Sequence, residues 1–374
     1  MSIEQIPTEI IFFFFFYGIT GVVPLIAAVY LLLRRGNAFV SGVTPPLRLR
    51  CWTASFFAVM TLAHVWWLLF YIYSGDLHSV GYLVLAMGDY VLLFATFAGM
   101  LLAMLQDRRR SVWPALVAVI PFIVLVGAYM VNHNNLLQQF AAGYLVLLGL
   151  LFTAYMILAI RQYGRWLNDN YADLENKKVW LSQAVALVCM LLFVLYVLAT
   201  NMVLIWFIHI FELVLVGLLL WRVETLPQLD NISTEEASSE SAPEPATQVI
   251  PTQNPANIDL AQIERLLTEH CKDTQLYLQH DLSLQQLAQA IGTNRFYLSQ
   301  YFSRQGITYN AYINDLRINH FMNLYRKATA AGQSIIVQQL ASESGYRSYS
   351  TFSLAFKQRM GQNVTAWMRN TTAK

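Results

Sequence analysis

The chain has 374 residues, of which 56% are hydrophobic and only 12% charged. Soluble proteins carry about 25% charged residues, so this composition excludes a wholly water-facing molecule. The net charge of +2 conceals a partition: residues 1–222 carry 12 basic and 9 acidic groups, 223–258 carry 0 and 6, and 259–374 carry 12 and 7. A membrane half (1–222), an acidic linker (223–258) and a basic, soluble tail (259–374) are therefore expected.

Seven stretches, near 10–33, 51–73, 82–105, 114–131, 140–160, 179–199 and 203–221, are apolar over the length of about 20 residues that a hydrocarbon core demands. The first does not read as a cleavable signal peptide, because Glu4 and Glu9 precede it and no Lys or Arg does. Arg34, Arg35, Arg48 and Arg50 follow span 1, and Arg108, Arg109 and Arg110 follow span 3. Arg161, Arg165, Lys177 and Lys178 follow span 5, and Arg222 follows span 7. The N-terminus and the loops at 74–81, 132–139 and 200–202 hold no Lys or Arg. This positive-inside alternation places the N-terminus outside and everything after Arg222 in the cytoplasm.

The spans contain no lysine that could carry a retinal Schiff base. Their ionisable groups are His64, Asp89, His209 and Glu212, each costly in lipid and so expected to face the bundle interior. His209 and Glu212 lie three apart on one helical face. With Asp89 they are candidates for a ligand pocket or proton-sensitive switch; interhelical hydrogen bonding is the plainer reading, and for His64 the leading one. No HExxH or GxSxG motif occurs, and the three cysteines (Cys51, Cys189, Cys271) form no CxxC pair. No catalytic set, metal site or cofactor is therefore expected. Residues 223–258 are rich in Ser, Glu, Pro and Thr and poor in apolar groups, the composition of a disordered spacer.

From Asp259 the helical period of soluble proteins returns. One unit then occurs twice. Leu284, Leu287 and Ala288 form an i, i+3, i+4 stripe running into Gly292, and Val337, Leu340 and Ala341 form the same stripe running into Gly345. Each glycine marks a sharp turn into a helix with two inward anchors, Leu298 and Phe302, then Phe352 and Phe356. At about 100° per residue, Phe296, Ser299, Gln300 and Ser303 face away from Leu298, while Ser350, Ser353, Leu354 and Lys357 face away from Phe352. These outward sets are sized for base edges. Arg295, Arg304, Arg347, Lys357 and Arg359 flank them and suit phosphates, as does Ser348 at a helix N-cap. Between the units, residues 309–327 read as one helix of about 28 Å, a strut for two recognition helices.

LSLQQLAQAIG, FYLSQYFSRQG, YINDLRI and VQQLASESGYRSYSTFSLAFKQRMG, within residues 282–369, resemble the DNA-binding module of AraC/XylS-type transcription regulators. The resemblance implies an all-helical module whose two helix-turn-helix units read adjacent major-groove segments. It adds Tyr349 to the base-contact candidates and supports Phe296, Ser299, Gln300, Ser350 and Ser353. Two departures stand out: Asn363 and Val364 where the family has Thr-Pro after the final glycine, and Phe321 where alanine is common.

The expected fold is therefore all-α, a seven-transmembrane-helix bundle joined to an AraC-type double helix-turn-helix domain. The expected function is a non-enzymatic, multi-pass inner-membrane regulator that binds promoter DNA from the cytoplasmic side, with the bundle as sensor of an unknown small-molecule or membrane signal. Double-stranded DNA and the lipid bilayer are its expected partners, with RNA polymerase and a second copy of the chain as further candidates. The alternative is a transporter or channel with a regulatory DNA-binding tail.

Overall fold

The computed structural model describes residues 8–34, 36–40, 42–73, 80–175, 177–198, 202–229 and 260–372. Most of the acidic linker, residues 230–258, lies outside them, as do most of the 74–81 loop and the link before Met202. Among the described residues there are fourteen α-helices and no strands. They divide into two units.

The first unit is built from α1 (Thr8–Leu33), α2 (Leu47–Tyr73), α3 (Val80–Ala103), α4 (Trp113–Asn132), most of α5 (Asn135–Asn170), α6 (Trp180–Leu198) and α7 (Met202–Thr225). Among the described residues, α1 to α5 are long and apolar enough to cross a membrane. Their outward faces stay apolar: Phe12, Phe14 and Phe15 are exposed, as are Leu150, Leu151 and Leu158. A helix that is apolar all round is stable only where something apolar surrounds it. Between helices, small residues admit large ones. A Cβ on Gly99 would lie 2.2 Å from the Trp52 ring, so α2 and α3 approach only because glycine stands there.

At one end of this unit the arginines flanking α1, α2 and α3 converge. Arg34 pairs with the buried Glu224 carboxylate at 2.6 Å, and Asn37 donates to the Glu224 carbonyl at 2.7 Å. Arg50 donates to the Leu31 carbonyl at 2.9 Å, Arg48 to that of Arg110, and Arg110 pairs with Asp107. Carbonyls at a helix C-terminus have no partner within the helix, and these guanidinium groups supply one to Leu31.

The second unit holds α8 (Leu260–Leu267), α9 (Leu284–Ala290), α10 (Arg295–Arg304), α11 (Tyr309–Ala330), α12 (Val337–Glu343), α13 (Tyr349–Met360) and α14 (Val364–Thr372), and also the segment Gly164–Lys178. It has two apolar cores. Leu284, Leu287, Leu298, Phe302, Tyr309 and Ile313 belong to the first; Phe321, Tyr325, Ala341, Phe352, Phe356 and Trp367 belong to the second. Helix α11 feeds both, its N-terminal half into one and its C-terminal half into the other.

The two departures from the family pattern are absorbed locally. Phe321 is fully buried, its ring 4.5 Å from that of Phe352. Asn363 accepts from the Ala366 amide at 2.8 Å and so caps α14, while Val364 is buried beside it.

Candidate nucleic-acid interface and a buried histidine cluster

Each helix-turn-helix is set by caps and one left-handed residue. Ser283 accepts from the Gln286 amide while the Gln286 side chain accepts from the Ser283 amide, a reciprocal cap that starts α9. The helix ends at Gly292 (φ +70°). Asn294 then accepts from the Phe296 amide at 2.8 Å and starts α10. The second unit repeats the scheme with Gly345 (φ +87°) and with Ser348, which accepts from the Thr351 amide at 3.3 Å and starts α13.

Gly345 is under a second constraint. A Cβ there would come within 2.8 Å of the Leu278 backbone and 3.1 Å of Arg317 Nε. Arg317 is buried where the two cores meet, donating to the carbonyls of Tyr277 and Gln279 at 2.7 Å each and lying over the Tyr346 ring. Burial lowers its pKa, yet the tyrosines and carboxylates around it favour the charged form. Sequence reading missed this residue, since an arginine in a helical stripe carries no signal of burial.

The inward anchors Leu298, Phe302, Phe352 and Phe356 are buried. Of the base-contact candidates, Phe296, Ser299, Ser303, Tyr349, Ser350 and Leu354 are exposed, while Gln300 and Ser353 are half-buried. Among the described residues of this unit, the large apolar side chains left exposed are Phe296, Ile307, Ile336, Tyr349 and Leu354. Three of these five stand on the outer faces of α10 and α13, where an apolar contact could meet a thymine methyl. Of the phosphate candidates, Arg304 and Lys357 are exposed, whereas Arg347 pairs with Asp281 and Arg359 with Asp315. Residues 287–370 match the family model described as a helix-turn-helix domain. These residues form an AraC-type helix-turn-helix domain. No curated protein and no solved structure matches the chain.

The unit that holds the helix-turn-helix domain carries an extra element that sequence reading did not associate with it, the segment Gly164–Lys178, which takes in the last turns of α5 and the link towards α6. Tyr171 bridges to Ser283, and the Ala172 amide donates to the Leu282 carbonyl at 3.1 Å. Asn310 donates to the carbonyls of Tyr171 and Ala172, at 3.2 and 2.7 Å. The Asn170 side-chain oxygen accepts from Arg295 at 2.8 and 3.2 Å. One Glu175 oxygen accepts from Ser348 at 2.7 Å and from Thr351 at 3.0 Å. Lys177 pairs with Asp281 at 2.9 Å. Partial burial pushes the Asp281 carboxyl up, but Lys177, Arg347 and His280 outweigh it and hold the pKa below the usual carboxylate range. In sequence this segment looks like an ordinary polar loop between two spans.

In the first unit, His64, His209 and Glu212 come together from α2 and α7. His209 Nδ1 lies 3.3 Å and His64 Nε2 3.6 Å from the same Glu212 oxygen. Thr20 of α1 places its hydroxyl 3.1 Å from His64 Nε2 and 3.4 Å from His209 Nδ1. The Tyr17 ring packs against both imidazoles, tilted against His64 and edge-to-face with His209. Asp89 is buried outside this group and accepts from the Trp67 indole at 3.1 Å. The sequence pairing of His209 with Glu212 is thus joined by His64 and Thr20, rather than by direct contact with Asp89.

Proposed function

We propose that the chain is a membrane-embedded, one-component bacterial transcription regulator, with its N-terminal helices in the inner membrane and its helix-turn-helix domain in the cytoplasm. The observation that carries this reading is one polypeptide with both an AraC-type helix-turn-helix domain and a set of helices apolar enough to cross a bilayer. Phe296, Ser299, Gln300 and Ser303 on α10, and Tyr349, Ser350, Ser353 and Leu354 on α13, read bases in successive major-groove segments. Arg295, Arg304, Arg347, Ser348, Lys357 and Arg359 hold the phosphates that fix the register. At 22 residues, α11 is about 33 Å long, close to the roughly 34 Å of one turn of DNA. The bundle senses a signal, and its buried polar residues are where a ligand would be recognised.

The test is selection of DNA from a randomised library by the full chain in lipid nanodiscs. Enrichment of a bipartite site with half-sites about one helical turn apart is expected. Equal retention of all sequences would refute specific regulation. A reporter fused after Lys374 should be active only on the cytoplasmic side.

A further inference from the structure

The donor set around His64 has an excess of lone pairs. His64 Nδ1 lies 2.8 Å from the Met60 carbonyl, which can only accept, so Nδ1 carries the proton and Nε2 of the neutral ring is bare. The Thr20 hydroxyl has one proton for three acceptors, the carbonyls of Tyr17 at 2.9 Å and Phe16 at 3.2 Å and the bare Nε2 at 3.1 Å. Nε2 therefore shares one hydroxyl proton with two carbonyls and faces, at 3.6 Å, a Glu212 carboxylate oxygen that only accepts. His209 Nδ1 faces the same hydroxyl and carboxylate oxygens. A cation bound among these atoms would accept the lone pairs of both nitrogens and the carboxylate at once. The spacings of 3.3 and 3.6 Å from the Glu212 oxygen to the two nitrogens compare with about 3.4 Å for the edge of a tetrahedron at Zn–N distances of about 2.05 Å.

We propose that His64, His209 and Glu212 bind a divalent transition-metal ion, of the class that imidazole favours, with a fourth position open to water or an external ligand. The Met60 carbonyl acts as the outer partner that fixes the tautomer of His64. The three ligands lie in the half of α2 and α7 that the charge pattern assigns to the outside, so the ion would come from there. The site stands on its own geometry. Only its consequence for DNA binding rests on the proposed sensor role.

The experiment uses the full chain in nanodiscs, stripped with a chelator and equilibrated with Zn²⁺ or with Co²⁺ as a spectroscopic probe. The wild type should retain about one ion per chain, and bound Co²⁺ should show the intense visible bands of tetrahedral coordination. His64→Gln, His209→Gln and Glu212→Gln should each lose that ion, and Asp89→Asn should retain it. Wild type that retains no ion, or variants of unchanged helicity that retain as much as wild type, would overturn the site. Should a ligand variant fail to fold, the X-ray absorption spectrum of the Zn²⁺ wild type decides: two-imidazole scattering supports the site, and its absence overturns it. Metal binding that leaves DNA binding unchanged would keep the site and remove the sensor role.

A separate observation carries a second inference, about Glu175 and Asn170. Glu175 places a carboxylate on the cap of α13, where the free amides and helix dipole would receive a DNA phosphate. Asn170 holds Arg295 at the start of α10. One short segment thus engages the N-terminal ends of both recognition helices. We infer that Asn170–Glu175 is an autoinhibitory strap that competes with DNA phosphates. Asn170 is the last residue of α5, and Trp180, the first of α6, follows the segment in the chain.

This inference rests on the proposed DNA-binding role of α10 and α13. Using the site selected above, the full chain with Glu175→Ala and Asn170→Ala should bind roughly tenfold tighter than wild type. Asp273→Ala, which removes the same charge from an exposed position elsewhere in the unit, should change little. Unchanged or weaker binding by the strap variant, or an equal gain from Asp273→Ala, would overturn the strap. Hydrogen exchange at 170–175 should rise when DNA is added to wild type, and constant protection would likewise overturn it. If neither chain binds any DNA, the DNA-binding reading itself fails, which is distinct from a strap that binds without competing.

Discussion

The two units use one element, the α-helix, against opposite surroundings. In the first, large apolar side chains are exposed along α1 to α5 and polar groups such as Glu224 and His209 are buried. In the second, apolar groups are gathered into two cores, and among the described residues three of the five large ones left outside stand on α10 and α13. The difference teaches what exposure means. A phenylalanine on the surface of the first unit sits on a helix long and apolar enough to cross a membrane, whereas Phe296 sits on a helix whose exposed face is otherwise polar, with Ser299 and Ser303.

That comparison can be broken most severely at Gly345. Gly345→Ala puts a methyl against the Leu278 backbone at a left-handed residue and should cost about 3–4 kcal/mol, read from chemical denaturation of the full chain followed by the Trp367 environment. Next comes the matched pair Phe15→Lys and Phe296→Lys. The first should raise the apparent cost of membrane insertion by about 1–2 kcal/mol, below the roughly 2.5–3.5 kcal/mol of a lysine at a helix centre, measured by glycosylation-site mapping, because Phe15 is exposed in the first third of the apolar helix α1. The second should change stability by no more than about 0.5 kcal/mol while altering the selected DNA site. Equal effects of the two would mean that the units face the same solvent.

Gln300→Ala should reduce discrimination against mismatched sites by about 1–2 kcal/mol and weaken nonspecific binding less, as measured by competition titrations. Ser348→Ala removes the cap of α13 and should destabilise the helix-turn-helix domain by about 1 kcal/mol in thermal melts. The smallest effect concerns acid. Asp281 has a folded pKa below its unfolded value, so its contribution is present above the usual carboxylate range and is lost as pH falls through the folded value. Asp281→Asn should flatten the acid limb of a stability–pH curve, with the two proteins converging at low pH. The Cys271 thiol is buried and pushed up to about 11, so it should resist alkylation at neutral pH until the domain unfolds.

By itself the sequence determined the elements that depend on spacing along the chain. Leu298 and Phe302, or Phe352 and Phe356, announce their own burial because a helix returns every 3.6 residues to the same face, and Gly292 and Gly345 mark turns because other residues resist positive φ. The apolar runs of α1 to α5 are legible for the same local reason, as is the pairing of His209 with Glu212. Tertiary structure alone decided the contacts made between distant segments. It brought His64 and Thr20 to that pair, buried Arg317 against the carbonyls of Tyr277 and Gln279, and laid Asn170 and Glu175 on the helices that begin at Arg295 and Tyr349. One such contact joins Thr20 to His209 across 189 positions, where no periodicity reaches and only the packing of the folded chain selects a partner.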